Sequence, residues 1–132
     1  MGGLVLDASV GVKLFLVETL SERADALFAR AVEGAAELYV PDLFYAECAN
    51  VLLKYVRWHG YDPSAAAQDV RDLQGLPLRA IPTGKLVAEA LTLAIRRQIT
   101  VYDAVYVALA DALEIPLITA DVALARRLQG DK

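Results

Sequence analysis

Short apolar runs alternate with longer helical segments along this chain, and this alternation limits the possible folds more than any other feature. Strands that are separated by helices are typical of α/β proteins with a parallel sheet. The predicted strands are Leu4–Leu6, Leu38–Val40, Leu78–Ile81 and Leu117–Thr119. We therefore predict an α/β fold, a three-layer α/β/α sandwich with a short central parallel sheet.

Capping residues mark where the predicted helices begin. Ser9 is expected to cap a first helix that carries Val12, Phe15 and Leu16. The segment 19–22 fits a capping box before the second helix. Asp42 is expected to cap a long helix that ends near His59. Asp62 is expected to cap the next helix, with Pro63 at its first position, and Thr100 is expected to cap the helix that follows it. These signals predict seven helices between and after the four strands.

Composition excludes several classes of protein. The chain has 132 residues, of which 57% are hydrophobic, so we expect residues 1–132 to form a single domain. One cysteine and one histidine exclude a disulfide framework and argue against a structural zinc site. The net charge of −4 argues against a purely electrostatic nucleic-acid binder. No targeting signal and no membrane-spanning run is found, which predicts a cytoplasmic protein.

Acidic residues stand at or near the ends of the predicted strands, where parallel α/β sheets bind their ligands. Asp7 directly follows the first strand, and Asp121 lies two residues beyond the fourth. Asp103 lies in the first turn of a helix. Glu47 lies inside a helix, where it borders an apolar stripe together with Asn50 and is expected to point along or into the protein.

Each of these carboxylates also has a purely structural explanation. Asp7 is placed to cap the first helix. Asp103 completes a capping box that begins at Thr100. Asp121 suits the N-terminus of the last helix, where negative charge is favoured, with Thr119 as the cap. Glu47 would be a solvated helix residue or would form an ion pair with Lys54 or Arg57. Each explanation is sufficient for its own residue, so the functional interpretation depends on the set.

Taken together, the four carboxylates favour one shared pocket. The structural explanation is weakest for Asp7, because Ser9 is available to cap the helix that follows. Clustered carboxylates resist ionising together, so a cation must compensate their charge. Oxygen ligands without cysteine or histidine suit Mg²⁺ or Mn²⁺. Such a cluster predicts metal-assisted hydrolysis of a phosphate ester.

Four segments carry a family resemblance as an ordered set. They are LVLDAS at 4–9, PDLFYAECAN at 41–50, YDAVYVALA at 102–110 and TAD at 119–121. The set resembles PIN-domain proteins, and most of all the VapC toxins of prokaryotic VapBC toxin–antitoxin pairs. By this resemblance the four acidic positions of the family are Asp7, Glu47, Asp103 and Asp121, and the accompanying polar positions are Ser9, Asn50 and Thr119.

The resemblance implies a Mg²⁺- or Mn²⁺-dependent endoribonuclease that acts as a toxin, with one or two ions per site. Asp7 and Asp103 would be the most direct metal ligands. Asp121 would bind a second ion or bind through water, and Glu47 would hold that ion or activate the attacking water. Thr119 and Ser9 would hydrogen-bond the carboxylates. The implied partners are an RNA substrate, a small VapB-like antitoxin and a second copy of the chain in a homodimer, with no membrane.

The sequence is also compatible with other functions. One alternative is a housekeeping RNA-processing nuclease with the same chemistry. Another is a non-catalytic interaction module with a vestigial metal site, against which four intact carboxylates argue. A signalling receiver domain is disfavoured because Asp7 has no acidic neighbour, and a haloacid-dehalogenase-like phosphatase is disfavoured because the chain has Asp7-Ala8-Ser9 and not Asp-x-Asp. Candidate cations for RNA phosphates are Lys13, Lys54, Arg57, Arg96, Arg97, Arg126 and Arg127.

Overall fold

The computed structural model describes residues 3–16 and 21–129, and within them four parallel strands form one sheet. The strands are β1 (Gly3–Leu6), β2 (Glu37–Pro41), β3 (Leu78–Ile81) and β4 (Leu117–Ile118). Their order across the sheet is β3-β2-β1-β4. The prediction of an α/β fold with a short central parallel sheet flanked by helices is confirmed.

Helices connect and follow these strands. They are α1 (Ala8–Gly11), α2 (Ser21–Val32), α3 (Leu43–His59), α4 (Pro63–Gln74), α5 (Val87–Arg97), α6 (Val101–Leu113) and α7 (Val122–Gln129). Two 3₁₀ turns, Val12–Leu14 and Thr83–Lys85, precede α2 and α5. Within the described ranges, no helix combines the length and the apolar character needed to cross a bilayer.

The core lies around the two central strands. Val5 and Leu6 of β1 and Leu38 of β2 are fully buried, as expected for strands that are covered on both faces. Helix α6 packs against β1 and β2, and α5 packs against α6. The run 104–110 of α6 is buried throughout, so this helix is the main apolar support of the sheet.

The strand order creates a crevice beside β1. The chain passes from β1 to β2 on one side, whereas β4 pairs with β1 on the other side, in register from Val5↔Leu117 to Leu6↔Ile118. Crevices at the carboxyl ends of such strands are where open α/β sheets bind ligands. Asp7 and residues 119–121 stand directly at this point.

Gly11 allows α1 to approach α3 closely. A Cβ atom at this position would lie 2.6 Å from the ring of Phe44 and 3.0 Å from the sulfur of Cys48. No larger side chain fits there without displacing the core. This contact sets α3 against the end of β1, which brings the helix that carries Glu47 next to Asp7.

The start of the first helix differs from the prediction. Asp7, and not Ser9, is the N-cap of α1, because Asp7 is the residue that keeps an extended backbone (φ −96°, ψ 174°) and accepts from the Val10 amide. Ser9 already lies inside the helix. The predicted continuous helix through Phe15 is also wrong, since α1 ends at Gly11 and a 3₁₀ turn follows.

Asp42 occupies the position before α3 but does not cap it by a side-chain bond. Its carboxylate instead accepts from the amide and the hydroxyl of Thr83, at 2.9 and 2.6 Å. The Thr83 hydroxyl oxygen accepts from the Leu43 amide at 3.0 Å. A residue that follows β3 thus caps a helix that follows β2, because the two strands are neighbours. The capping box predicted at 19–22 includes positions outside the described residues.

Candidate active site

A cavity of about 470 Å³ opens at the crevice beside the carboxyl end of β1. All four acidic residues expected from the sequence line it, and they come from four separate segments: Asp7, Glu47, Asp103 and Asp121. Ser9 and Asn50 also line the cavity. Thr119 does not, but it lies directly behind the wall, where it contacts Ser9.

Asp7 is the most deeply placed of the four carboxylates. Only 6% of the residue is exposed. Its Oδ1 accepts hydrogen bonds from the Ser9 hydroxyl and, at 3.4 Å, from the Val10 amide. The same carboxylate therefore begins α1 and faces the cavity, so its structural role and its candidate functional role coexist.

Ser9 and Thr119 join the segments that follow the neighbouring strands β1 and β4. The Ser9 oxygen lies 3.4 Å from the Thr119 oxygen and accepts from the Ala120 amide at 2.9 Å. Thr119 accepts from the Asp121 amide at 3.0 Å. These bonds fix the segment that follows β4 against the segment that follows β1, and so they set the separation of Asp7 and Asp121.

Glu47 faces the cavity from the second turn of α3 and is half-buried. The Tyr106 hydroxyl donates to its Oε1 at 2.6 Å. Among the described residues, neither Lys54 nor Arg57 forms an ion pair with Glu47. The ion pair that the sequence suggested for Glu47 is thus replaced by a bond to a buried phenol. The expectation that Glu47 points into the protein is correct, whereas Asn50 is exposed at the cavity edge.

Asp103 and Asp121 complete the acidic wall. The predicted cap at Thr100 is present, but its hydroxyl accepts from the backbone amide of Asp103 at 3.0 Å and leaves the carboxylate to the cavity. Asp121 is exposed, and its Oδ1 accepts from the Leu124 amide at 3.0 Å. Asp121 itself, and not Thr119, therefore caps α7.

The electrostatics of the cavity are dominated by negative charge. Burial raises the pKa of Asp7, Glu47 and Asp103, and neighbouring carboxylates raise each pKa further. Hydrogen bonds from Ser9, Thr119 and Tyr106 only partly oppose this effect. Among the lining residues that the structure describes, Lys54 is the single basic side chain. The cavity is thus poised to gain from a bound cation.

A comparison with protein families decides where this architecture belongs. The sequence profile of the PIN domain matches residues 4–128, nearly the whole chain. The chain belongs to the PIN-domain family.

Curated relatives of this PIN domain carry ribonuclease names. Ribonuclease VapC3 of Pyrobaculum aerophilum is 36% identical over 126 residues, which cover 94% of this chain and 93% of the relative. Ribonuclease VapC12 of Mycobacterium tuberculosis is 33% identical over 123 residues, which cover 93% and 90%. The chain therefore spans nearly the full length of both relatives.

Solved structures share the fold of this PIN domain. The crystal structure of PAE2754 from Pyrobaculum aerophilum aligns with a TM-score of 0.72 and 23% identity, over 96% of this chain and 79% of the other. VapC20 of Mycobacterium tuberculosis, described as a sarcin-ricin loop cleaving toxin, aligns with a TM-score of 0.69 and 17% identity, over 93% of each chain. At these identities the likeness concerns the fold alone.

The donor set of this PIN domain fits a hard divalent cation. Apart from the Lys54 ammonium group, the polar groups that line the cavity are carboxylates, hydroxyls and an amide, and the described lining contains no cysteine or histidine. Oxygen ligands of this kind suit Mg²⁺ or Mn²⁺. In residues 3–16 and 21–129, no three acidic, histidine or cysteine side chains stand close enough together to hold one ion directly. Mg²⁺ usually keeps several waters and uses one or two carboxylates, so this spacing is compatible with it.

Two tyrosines of the cavity were missed by the sequence analysis. Tyr106 lies three residues after Asp103 and so shares its helix face, which is a signal that could have found it. Tyr102 directly precedes Asp103 and is 61% exposed at the cavity edge. Both lie in the segment 102–110 on which the family resemblance rests.

Proposed function

We propose that this PIN domain is a Mg²⁺- or Mn²⁺-dependent endoribonuclease and the toxin of a toxin–antitoxin pair. The observation that carries the proposal is the convergence of Asp7, Glu47, Asp103 and Asp121 on one cavity, whose described lining contains a single basic residue. The ribonuclease names of two relatives above 30% identity support the reaction class. The match over 4–128 supports treating residues 1–132 as a single PIN-like domain.

Asp7 and Asp103 are the residues we assign to direct metal binding. Asp7 stands at the end of β1 and Asp103 at the start of α6, and each raises the pKa of an acidic neighbour in the cavity. Asp121 would hold a second ion or bind through water. A divalent ion in the cavity would offset the charge of the scissile phosphate and make water more acidic.

Glu47 is the residue we assign to the attacking water. It is the only one of the four that lies beyond the first turn of its helix, and the residue is half-buried. A carboxylate with a raised pKa takes up a proton more readily near neutral pH, which suits a general base. Alternatively, Glu47 would hold the second ion. In-line attack would leave a 5′-phosphate and a 3′-hydroxyl, as the family resemblance implies.

The polar neighbours would hold this arrangement and meet the substrate. Ser9 and Thr119 fix the carboxylates through the hydrogen bonds described above, a supporting role that is common around metal sites. Asn50 and Lys54 lie one turn apart on α3 and both line the cavity. We assign Lys54 to an RNA phosphate, because an exposed ammonium beside the acidic wall can bind a phosphate group without leaving solvent.

The partners follow from the same proposal. A VapB-like antitoxin would offer a basic side chain to the acidic wall and so compete with the metal. For a homodimer, the candidate surface is the outer face of α5, where Val87, Leu91 and Ile95 recur at four-residue spacing and are exposed by up to 73%. Exposed apolar stripes of this kind are typical of subunit contacts. Sedimentation of an Ile95→Glu variant as a monomer, against a wild-type dimer, tests this assignment.

The experiment that tests the function is cleavage of total RNA by the purified chain. We expect cuts with Mn²⁺, none with EDTA, and none with the Asp103→Asn variant in either condition. Asp111→Asn is the matched control, because Asp111 is exposed near the other end of the same helix. Cleavage that persists in EDTA, or in Asp103→Asn, contradicts the proposal.

The role as a toxin needs a separate test. Expression of the wild-type chain is expected to stop bacterial growth, and co-expression of the antitoxin encoded beside it is expected to restore growth. RNA cleavage without any effect on growth would favour the housekeeping nuclease. Binding of Mn²⁺ without RNA cleavage would favour the interaction module.

A further inference from the structure

Tyr106 makes a contact that the proposed chemistry does not by itself require. Its ring is buried in the core, with 1% of the residue exposed, yet its hydroxyl reaches the cavity and donates to Glu47. A buried phenol hydroxyl needs an acceptor. Phenylalanine would place the same ring in the core without the hydroxyl, so the hydroxyl calls for its own explanation.

The bond restrains a side chain that is otherwise free to move. Glutamate has three rotatable bonds, and fixing such a side chain costs conformational entropy. Among the described residues, Tyr106 is the only hydrogen-bond partner of the Glu47 carboxylate. The bond engages Oε1 and leaves Oε2 for a water or an ion.

The helix that carries Tyr106 also carries Asp103. The two residues are three positions apart on α6 and line the same cavity. This helix is buried from residue 104 to residue 110 and packs on the sheet, so it is a rigid platform. One element thus places Asp103 directly and Glu47 indirectly.

We propose that Tyr106 is a positioning residue, which holds the Glu47 carboxylate in place through its buried hydroxyl so that the cavity is preorganised for a divalent ion. This inference rests on the proposed function for the identity of the ion, and it takes Glu47 in its alternative assignment, as a residue that holds the second ion. It deepens that proposal by adding a residue that touches neither the metal nor the RNA.

Tyr106→Phe removes the hydroxyl and keeps the ring. We expect Mn²⁺ affinity, measured by titration calorimetry, to fall by about tenfold, within the range that is usual for partners of metal ligands. The turnover rate on RNA should fall by a similar factor, while KM for RNA stays unchanged. Tyr61→Phe is the matched control, because the Tyr61 hydroxyl donates to the Asp69 carboxylate away from the cavity.

A double-mutant cycle distinguishes positioning from a general structural effect. In a Glu47→Ala background, Tyr106→Phe should cause no further loss of Mn²⁺ affinity, because the residue acts through Glu47. An equal loss in both backgrounds overturns the inference, as does wild-type Mn²⁺ affinity in Tyr106→Phe.

Glu47→Asp is a second variant, which tests the inference even if Tyr106→Phe does not fold. It keeps the charge but withdraws the carboxylate from the Tyr106 hydroxyl, so we expect a loss of Mn²⁺ affinity like that of Tyr106→Phe. Wild-type affinity in Glu47→Asp overturns the inference. A wild-type chain that binds Mn²⁺ without cutting RNA would contradict the proposed function alone, whereas a chain that binds no Mn²⁺ would overturn both.

Discussion

Asp7 and Asp42 occupy equivalent places in the fold but differ in their physical properties. Each follows a strand of the parallel sheet, β1 for Asp7 and β2 for Asp42, and each precedes a helix. Asp7 is buried, and burial raises its pKa. Asp42 is exposed, and hydrogen bonds from Thr83 lower its pKa. The end of a parallel strand is therefore not enough to make a site.

The neighbours of the two aspartates explain the difference. Thr83 supplies both an amide and a hydroxyl to Asp42, which satisfies this carboxylate within the protein. Asp7 also receives hydrogen bonds, but Asp103 adds repulsion and solvent is largely excluded. The charge of Asp7 is thus left for an external cation to balance, whereas the charge of Asp42 is not.

Removing the two carboxylates should separate their roles most clearly. Asp7→Asn is expected to reduce RNA cleavage by at least about a hundredfold, because metal stabilisation of a phosphate transition state is worth several kcal/mol. Asp42→Asn should leave the rate within about twofold, as is usual for exposed positions outside a site. Initial rates on one RNA with saturating Mn²⁺ provide the measurement. Equal cleavage rates for the two variants would contradict the assignment of Asp7 to the site and of Asp42 to a structural role.

The threonines beside these aspartates offer a matched pair. Thr119→Val should reduce cleavage by about ten- to a hundredfold, because partners that orient metal ligands commonly have effects of this size. Thr83→Val should leave cleavage intact and lower the free energy of unfolding by about 1 kcal/mol through the lost cap of α3. Urea unfolding and RNA cleavage of both variants test the pair. A loss of activity in Thr83→Val alone would reverse our assignment.

Two lysines allow a finer comparison of the same regions. Lys54 lines the cavity, and Lys85 is exposed two residues after Thr83. Lys54→Ala should raise KM for RNA a few-fold at unchanged turnover and reduce the slope of log affinity against log salt by about 1. Lys85→Ala should do neither. Salt-dependent binding of RNA in Ca²⁺, which prevents turnover, provides a check independent of kinetics.

The pH dependence of stability should have opposite signs at the two aspartates. Because its pKa is raised, Asp7 contributes to the free energy of unfolding at pH values below its ordinary pKa of 3.8. This contribution is lost as pH rises through the pKa of Asp7 in the folded chain. Because its pKa is lowered, Asp42 contributes to the free energy of unfolding at pH values above 3.8. This contribution is lost as pH falls through the pKa of Asp42 in the folded chain. Without metal, Asp7→Asn should therefore gain Tm relative to wild type at neutral pH, and Asp42→Asn should lose Tm there.

Thermal unfolding from pH 3 to pH 8 in EDTA tests both signs. The gain of Asp7→Asn should shrink as pH falls from the native pKa of Asp7 towards 3.8, whereas the loss of Asp42→Asn should begin to shrink only as pH approaches 3.8 and falls below it. Mn²⁺ should raise the Tm of wild type more at pH 7.5 than at pH 5, since it binds the ionised carboxylates. An increase in Tm on adding Mn²⁺ that is the same at pH 5 and pH 7.5 would contradict the link between carboxylate charge and metal binding.

Much of the fold was accessible from local signals. The four strands, Pro63 at the start of α4 and the Thr100 cap follow from residues within a few positions of each other, and the structure confirms them. The cap predicted at Ser9 was wrong, whereas Asp42 stands at the predicted N-cap position but makes no capping bond with its side chain. Ser9 was misplaced by two positions, because the strand ends at Leu6, and Asp42 was diverted by Thr83 from a neighbouring strand end.

The sequence by itself determined the alternation of strands and helices and the chemical nature of the four candidate carboxylates. Hydrophobic periodicity and turn chemistry act over a few residues and can be recognised without a fold. Only the tertiary structure decided which groups meet. Ser9 contacts Thr119 across 110 positions, and Tyr106 contacts Glu47 across 59. Strand order and helix packing create these contacts. The same packing raises the pKa of the cavity carboxylates, because desolvation and repulsion depend on distance in space and not along the chain.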